Sequence, residues 1–252
     1  MWKNIRVVCL LMVLLIVAVN AYRDQNQDWN QPIMLLLHPI NADGLPTTQQ
    51  YIQQLQQDDF AEIKDYLEKN SQSYRGQSSY FMLQIGRQLS QKPPQMPAQP
   101  SLLNNILWSL KFRFYAWKQH QSVDGSPTLT LYLNFHDPKQ SNELKHSTAL
   151  ERGRIGSVNL FASDRQAAQN NVVIVHELLH GFGATDKYNL ATGEPLFPIG
   201  YAQPEQQPLY PQTQAEIMGG RIPLSEHKSK MPNGLEQTII SALTAQEIGW
   251  IK

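Results

Sequence analysis

The amino-acid sequence predicts a mixed α/β domain, of the α+β or α/β class, that is followed by a loop-rich carboxy-terminal part. Apolar runs typical of strands alternate with segments in which apolar residues recur at helical spacing, and this alternation continues to about residue 182. Beyond it the chain is rich in proline and irregular to about residue 237. A length of 252 residues suffices for one domain with a sizeable core.

Strands are predicted where a short apolar or alternating run lies between turn-forming residues. The predicted strands cover residues 33–37, 80–85, 128–135 and Ile155–Phe161. Amphipathic spacing predicts helices at residues 47–69, Leu102–Gln119 and 164–182, with a short one behind Thr244. Ser101 is expected to cap the second helix, and capping boxes starting at Ser163 and Thr244 are expected to begin the last two.

The amino terminus has the pattern of an export signal. Lys3 and Arg6 precede thirteen apolar residues, 7–19, and no acidic residue occurs before Asp24. Thirteen residues suit the apolar region of a cleaved signal peptide better than a membrane span, which needs about 20. The sequence Val-Asn-Ala at residues 19–21 is an acceptable cleavage site.

A retained membrane anchor through residues 5–21 is the alternative to cleavage. Trp2 and Tyr22 would then lie at the two membrane interfaces. The basic flank stays in the cytoplasm in both cases, so the rest of the chain is expected outside it. The expected locations are the periplasm, the cell surface or the medium.

The charge balance argues against a nucleic-acid partner, and the cysteine content argues against an internal disulfide. Lys and Arg total 21 and Asp and Glu total 21, so the chain lacks the basic excess of a nucleic-acid-binding protein. We expect no nucleic-acid partner. The single cysteine, Cys9, lies in the apolar run, so the exported part cannot form an internal disulfide. These features do not determine the oligomeric state.

Composition divides the chain into four expected parts. They are a signal peptide or anchor at 1–21, a polar tether at 22–31, a first subdomain at 32–183, and a carboxy-terminal subdomain at 184–252. Within the first subdomain, residues 91–100 form a proline-rich linker that blocks regular structure.

The predicted helix 164–182 carries an HExxH motif at His176, Glu177 and His180. Side chains four residues apart on a helix project from one face, so the two imidazoles can bind one Zn²⁺. Glu177 is turned about 100° away from His176 and can reach a metal-bound water instead. A metal that acidifies this water, with a carboxylate to accept its proton, produces a hydrolytic nucleophile at neutral pH.

A catalytic zinc site needs a third protein ligand and one open position. Gly183 can adopt a positive φ that turns the chain back toward the metal, which makes Asp186 the nearest candidate. Glu194, Glu205 and Glu216 are the alternatives, although their surroundings are too rich in Pro and Gly to predict a ligand-bearing helix.

Residues 172–188 resemble the metzincin clan of zinc metallopeptidases, whose longer motif is HExxHxxGxxH. Asp186 stands where the last histidine of that motif would be, and Tyr188 follows two residues later, so the segment is most similar to the aspartate variant of snapalysin-type enzymes. The resemblance implies a zincin-like domain with a twisted mixed sheet. It also implies an exposed strand, here Ile155–Phe161, that pairs with extended substrate.

The same resemblance implies a methionine in a tight turn beneath the metal. Met218, followed by two glycines, matches this Met-turn, although no Tyr lies two positions later as it does in several subfamilies. The residue that stabilises the oxyanion is therefore open, with Tyr188, Tyr201 and Tyr210 as candidates.

The expected function is that of an exported zinc metallopeptidase that cleaves peptide or protein substrates. His176, His180 and Asp186 would bind one Zn²⁺, and Glu177 would be the general base. Two alternatives remain: a non-catalytic zincin-fold module that binds zinc or peptides at the cell envelope, and a zinc amidase that acts on cell-wall peptides.

Overall fold

A computed structural model describes residues 2–97, 101–120, 127–140, 144, 146–150 and 153–251. Its centre is a five-stranded, mostly parallel sheet in the order β2-β1-β3-β5-β4. The strands are β1 (Ile33–Asn41), β2 (Phe81–Ile85), β3 (Leu129–His136), β4 (Thr148–Leu150) and β5 (Ile155–Phe161). Only β4 runs antiparallel to its neighbour. The mixed α/β class expected from the sequence is therefore confirmed.

Helices lie on both faces of this sheet. The α-helices of the described residues are α1 (Trp2–Gln25), α2 (Pro46–Gln54), α3 (Ala61–Arg75), α4 (Leu102–Gln119), α5 (Ala167–Gly181) and α6 (Ala242–Glu247). Short 3-10 helices occupy Gln57–Phe60, Asp164–Gln166 and Leu235–Gln237. The carboxy-terminal part has two small two-stranded sheets, which pair β6 (Ala215–Glu216) with β9 (Thr238–Ile239) and β7 (Ile222–Ser225) with β8 (Lys228–Lys230).

The alternation of side chains along the strands separates the core into two layers. Leu131, Leu133 and Phe135 of β3 belong to the main core, which includes α3 and the apolar face of α5. Tyr132 faces the other way and packs against Phe112 of α4. The sheet therefore separates α4 from the helix that carries the HExxH motif.

Two predicted elements differ from the structure because tertiary contacts override the local pattern. The expected helix 47–69 is broken, since Gln56 and Asp59 form a reciprocal capping box that starts a new helix. β1 continues through Pro39, beyond the end that the apolar run predicts. Pro39 lies past Leu37, the last residue that pairs with β2, so its missing N–H is not needed for that ladder.

β4 was not predicted, and it corrects the expected role of β5. Residues 155–157 of β5 pair with β4 on one side, and β5 pairs with β3 on the other. The expectation that Ile155–Phe161 is the exposed edge strand is therefore wrong, and β4 forms that edge. No periodic pattern in a three-residue strand could have predicted it.

The expected helix caps are only partly correct. Ser101 accepts a hydrogen bond from the N–H of Asn104 and caps α4 as predicted. Ser163 makes no such side-chain bond. The cap of α6 is Ser241 rather than Thr244, so the two predicted capping boxes are wrong. Asn170 instead ties the start of α5 to β5 through two bonds to the backbone of Phe161.

The segment expected to be a polar tether is largely bound to the domain. α1 extends through Gln25, and Arg154 donates hydrogen bonds to the carbonyls of Arg23 and Asp24. Trp29 is buried in the main core and donates to the carbonyl of Ile248. The sequence did not predict this contact, because Trp29 is one apolar residue within a polar segment that has no periodic pattern.

α1 is long and apolar enough to cross a membrane, with a candidate span at Asn4–Gln25. No part of its apolar window is buried within the protein. An amino-terminal helix of this kind is compatible with a signal sequence or an anchor.

Candidate metal centre

α5 supplies two of the three side chains of the candidate centre. His176 and His180 are one helical turn apart and lie on the same face of α5. The other side of the helix is apolar, and Ile174, Val175, Leu178 and Leu179 are fully buried. This burial fixes the rotation of the helix and presents the two imidazoles on its less buried face.

Three donor atoms converge at this face. The two Nε2 atoms of His176 and His180 are 3.0 Å apart. Oδ1 of Asp186 lies 3.2 Å from Nε2 of His176 and 3.0 Å from Nε2 of His180. Tetrahedral zinc with bonds of about 2.0 Å holds neighbouring ligand atoms roughly 3.3 Å apart. The separations of the three donor atoms are therefore close to those between the ligand atoms of a tetrahedral zinc ion.

The imidazole orientations are set from behind by backbone carbonyls. Nδ1 of His176 donates to the carbonyl of Ile217 at 2.9 Å, and Nδ1 of His180 donates to the carbonyl of Ala184 at 2.7 Å. A carbonyl oxygen only accepts, so each Nδ1 carries its proton. The lone pair of the neutral ring is consequently on Nε2, the atom that faces the centre.

The turn after α5 brings Asp186 to the histidines. Gly183 has a φ of +108°, the positive value expected from the sequence. Ala184 then donates its N–H to the carbonyl of Leu179, which folds the chain back against the end of the helix. Asp186 follows two residues later, within reach of both imidazoles.

A second tight turn, hydrogen-bonded to His176 and Lys187, carries Met218. Met218 is fully buried, and its carbonyl accepts a hydrogen bond from the N–H of Lys187. The preceding residue, Ile217, supplies the carbonyl that orients His176. The turn that carries Met218 is therefore hydrogen-bonded both to His176 and to the residue that follows Asp186.

Glu216 shapes this turn and is not a metal ligand. One carboxylate oxygen accepts from the N–H groups of Met218 and Gly219, at 2.6 and 2.9 Å. The other accepts from the hydroxyls of Ser241 and Thr244, at 3.0 and 2.6 Å. Because both oxygens are bound within a fully buried position, Glu216 cannot serve as the alternative third ligand.

The other alternative ligands also lie outside the centre. Among the described residues, His176, His180 and Asp186 form the one cluster with metal-binding spacing. Glu205 is exposed on the surface, and Glu194 belongs to a loop that bridges back to residues 187–189. Asp186, and not a glutamate, is therefore the third residue of this cluster.

Glu177 is 4% exposed, and its Oε2 atom has no hydrogen-bond partner among the described residues. Burial raises the pKa of this carboxyl above its usual range, and the neighbouring His176 and His180 only partly oppose that rise. A buried carboxylate oxygen without a hydrogen-bond partner lowers the stability of the fold. Carboxyl groups with a perturbed pKa are often found at functional sites.

The charges within the cluster favour a cation at its centre. Burial opposes the negative charge of Asp186, but the adjacent imidazoles of His176 and His180 hold its pKa well below its usual range. Burial also disfavours a charged His176, yet contact with Asp186 and Glu177 raises its pKa. The same negative surroundings that attract a proton to His176 also attract a metal cation.

Of the three candidate tyrosines, Tyr188 lies beside the centre, and Tyr201 and Tyr210 contact each other. The ring of Tyr188 lies 6.2 Å from that of His176, and its hydroxyl interacts with Asp186. Burial and Asp186 raise the pKa of Tyr188. The hydroxyls of Tyr201 and Tyr210 bond to each other at 2.8 Å.

The remaining histidines have other environments. His38 is buried, stacks on Tyr132 and bonds to the carbonyl of Arg87, so it is a core residue. His146 lies near enough to Glu177 to favour its ionised form. His227 is exposed on the β7–β8 hairpin.

Sequence reasoning missed the residue that secures the loop bearing Asp186. Glu247, at the end of α6, accepts hydrogen bonds from the N–H and hydroxyl of Thr185, at 3.0 and 2.6 Å, and forms an ion pair with Lys187 at 2.7 Å. Glu247 therefore holds both neighbours of Asp186. A distance of about 60 residues along the chain left no local signal for this contact.

Comparisons with known proteins do not assign the chain to a family. No protein-family model matches it, and no curated protein matches it. A solved structure described as a chaperone-substrate complex aligns with 75% of this chain, at 15% identity and a TM-score of 0.40. The alignment covers 30% of that other chain.

Proposed function

We propose that this protein is an exported zinc-dependent metallopeptidase. The observation that carries the proposal is the convergence of Nε2 of His176, Nε2 of His180 and Oδ1 of Asp186 within 3.2 Å of one another. Two nitrogen ligands and one carboxylate oxygen are a donor set that zinc accepts, and three protein ligands leave a fourth position open.

A bound zinc ion would acidify its water ligand and polarise the carbonyl of a substrate. The residues of this chain would provide the proton transfer. Glu177 would accept the proton of the attacking water and deliver it to the leaving amine. Its burial supports this role, because a raised pKa brings a carboxyl nearer to the pH at which it both takes and gives a proton.

Tyr188 would act next to this chemistry. Its contact with Asp186 supports a role in orienting that ligand, or in binding the oxygen on which negative charge develops. The mutual hydrogen bond of Tyr201 and Tyr210 favours neither of them for the oxyanion role.

We propose that β4 binds the extended substrate. Thr148–Leu150 pairs with β5 on one side, and among the described residues no strand pairs with its other side. An open strand edge can accept main-chain hydrogen bonds from a peptide. β4 also contacts α5, so a peptide added there would lie near the HExxH helix.

The proposed location outside the cytoplasm is supported by α1. Its apolar span is not buried in the domain, and the sequence before it is basic. Both a cleaved signal and a retained anchor deliver the remaining domain to the same side of the membrane.

Metal analysis of the purified protein, coupled to a peptide-cleavage assay, tests the proposal. We expect about one zinc per chain and cleavage that stops with a chelator and returns with zinc. The Asp186→Ala variant should lose zinc, whereas His227→Ala, which changes an exposed histidine on a hairpin, should retain it. Unchanged zinc content in Asp186→Ala would reject the proposed ligand set. Zinc binding without any cleavage of peptides or cell-wall peptides would favour the non-catalytic module.

A further inference from the structure

α4 has two apolar faces, and only one of them contacts the protein. Trp108, Phe112 and Tyr115 are buried against the sheet. On the opposite side, six large apolar residues are 46–72% exposed, namely Leu103, Ile106, Leu107, Leu110, Phe114 and Trp117. We refer to these six residues as the outer row of α4. A soluble protein seldom exposes a contiguous row of this kind.

The outer row has the geometry of one continuous helix face. At about 100° per residue, its six side chains fall within an arc of roughly 100°. Trp108, Phe112 and Tyr115 lie on the far side of the same projection. The apolar character of the outer row is therefore not a by-product of packing against the sheet.

Charge on α4 also follows a pattern. Lys111, Arg113 and Lys118 flank the outer row, and the helix contains no acidic residue. Lys111 and Lys118 are exposed. A helix with Leu, Phe and Trp on one face and basic residues along its borders is typical of segments that lie in the interface of a membrane. The long side chains of Lys111 and Lys118 can reach the headgroups while the apolar row enters the acyl region.

α4 lies close to the end of α1, so a membrane that holds α1 is the surface expected to cover the outer row. Arg154 binds the carbonyls of Arg23 and Asp24 at the end of α1, and the N–H of Gly153 donates to Asp24 at 2.6 Å. The guanidinium of Arg113, on α4, lies against the neighbouring Gly153. The outer row is consequently on a helix next to the point where the candidate membrane span ends.

We propose that α4 lies on the outer surface of the lipid bilayer, with its outer row inserted among the lipids and its basic borders at anionic headgroups. This contact would be a second membrane attachment besides α1. It does not depend on the proposed peptidase chemistry, because α4 and α5 lie on opposite faces of the sheet.

Nitroxide labels in the full-length chain test this placement. Cys9→Ser removes the single native cysteine, and Leu107→Cys or Phe114→Cys then places a label in the outer row. Gln72→Cys provides a matched control, because Gln72 is an exposed helical position on α3, which belongs to the other side of the sheet. The protein is reconstituted in vesicles of phosphatidylcholine and phosphatidylglycerol, and the accessibility of each label to oxygen and to a water-soluble nickel complex is measured.

We expect the two outer-row labels to favour oxygen over the nickel complex, at a depth of about 5–10 Å, and the label at residue 72 to behave as in water. An added Leu110→Glu substitution, at an exposed position, should return the residue 107 label toward water without changing the circular dichroism of the fold. Equal access of the nickel complex to all three labels would overturn the proposal. Exclusion of both reagents from residues 107 and 114 would also overturn it, because that result indicates a covering protein such as a second copy of the chain.

Discussion

Lys187 and Glu247 form an ion pair in which Nζ and Oε2 are 2.7 Å apart, and the lysine side chain is 1% exposed. The same carboxylate also binds Thr185 through two hydrogen bonds. Asp186 lies between these two residues in sequence. The pair therefore connects the last helix of the chain to the loop that presents the third donor of the candidate centre.

Glu247→Gln tests how much this ion pair contributes to stability and to zinc affinity. Removing one charge leaves the buried Lys187 ammonium without its partner, which we expect to lower the free energy of unfolding by about 3 kcal/mol. Zinc affinity should also fall, because residue 247 would hold Thr185 and Lys187 less firmly and Asp186 lies between them. Urea unfolding and zinc titration measure the two effects. If the variant is as stable as wild type, the ion pair does not stabilise the fold.

The same pair makes stability depend on pH. Burial opposes the charge of Glu247, but bonds from Lys187 and Thr185 outweigh it and lower its pKa. A carboxyl whose pKa is lowered in the folded state stabilises the protein above its ordinary pKa of about 4.3, and this stabilisation is lost as pH falls through the lowered value. Wild type should therefore lose more stability than Glu247→Gln on acidification from about pH 6 to about pH 3. Parallel stability curves for the two proteins would contradict this assignment.

Glu216→Gln tests whether the turn at Met218 supports the metal ligands. The amide would place N–H donors where backbone and hydroxyl donors now need an acceptor, at an expected cost of about 2–3 kcal/mol. His176 should be less firmly held, because the carbonyl of Ile217 belongs to the same turn. Glu205→Gln, at an exposed site, is the matched control and should leave thermal unfolding and zinc affinity unchanged.

Glu177→Gln separates metal binding from proton transfer. The amide cannot accept the proton of an attacking water, so cleavage should fall about 100-fold or more, while zinc content stays near that of wild type. Peptide cleavage and metal analysis of the same preparation provide both readings. Retained cleavage would remove Glu177 from the role of general base.

Gly183→Ala tests the turn that brings Asp186 to the histidines. A side chain at a φ of +108° is strained, and we expect a loss of about 1 kcal/mol or more. Gly44→Ala is the control, because Gly44 also has a positive φ, of +76°, but lies in the loop after β1. Both variants should lose stability, and only Gly183→Ala should lose zinc affinity. Equal zinc affinity in the two variants would show that the turn does not position Asp186.

The sequence by itself was sufficient for features governed by local periodicity. Apolar spacing predicted α4 at Leu102–Gln119 and β5 at Ile155–Phe161 with their observed bounds. The four-residue spacing of His176 and His180 dictates that they share a face of α5. The positive φ of Gly183 was likewise predictable, because few other residues tolerate it.

Tertiary structure decided the contacts that join distant parts of the chain. Nearness in sequence favours Asp186 over three glutamates, but only the fold brings its Oδ1 atom to both histidines and commits Glu216 to a buried turn. The role of Glu247 and the identity of β4 as the edge strand had no local signal either. Periodicity reports which way a side chain faces along its own element, whereas partners tens of residues away are set by packing of the whole core, which no short segment encodes.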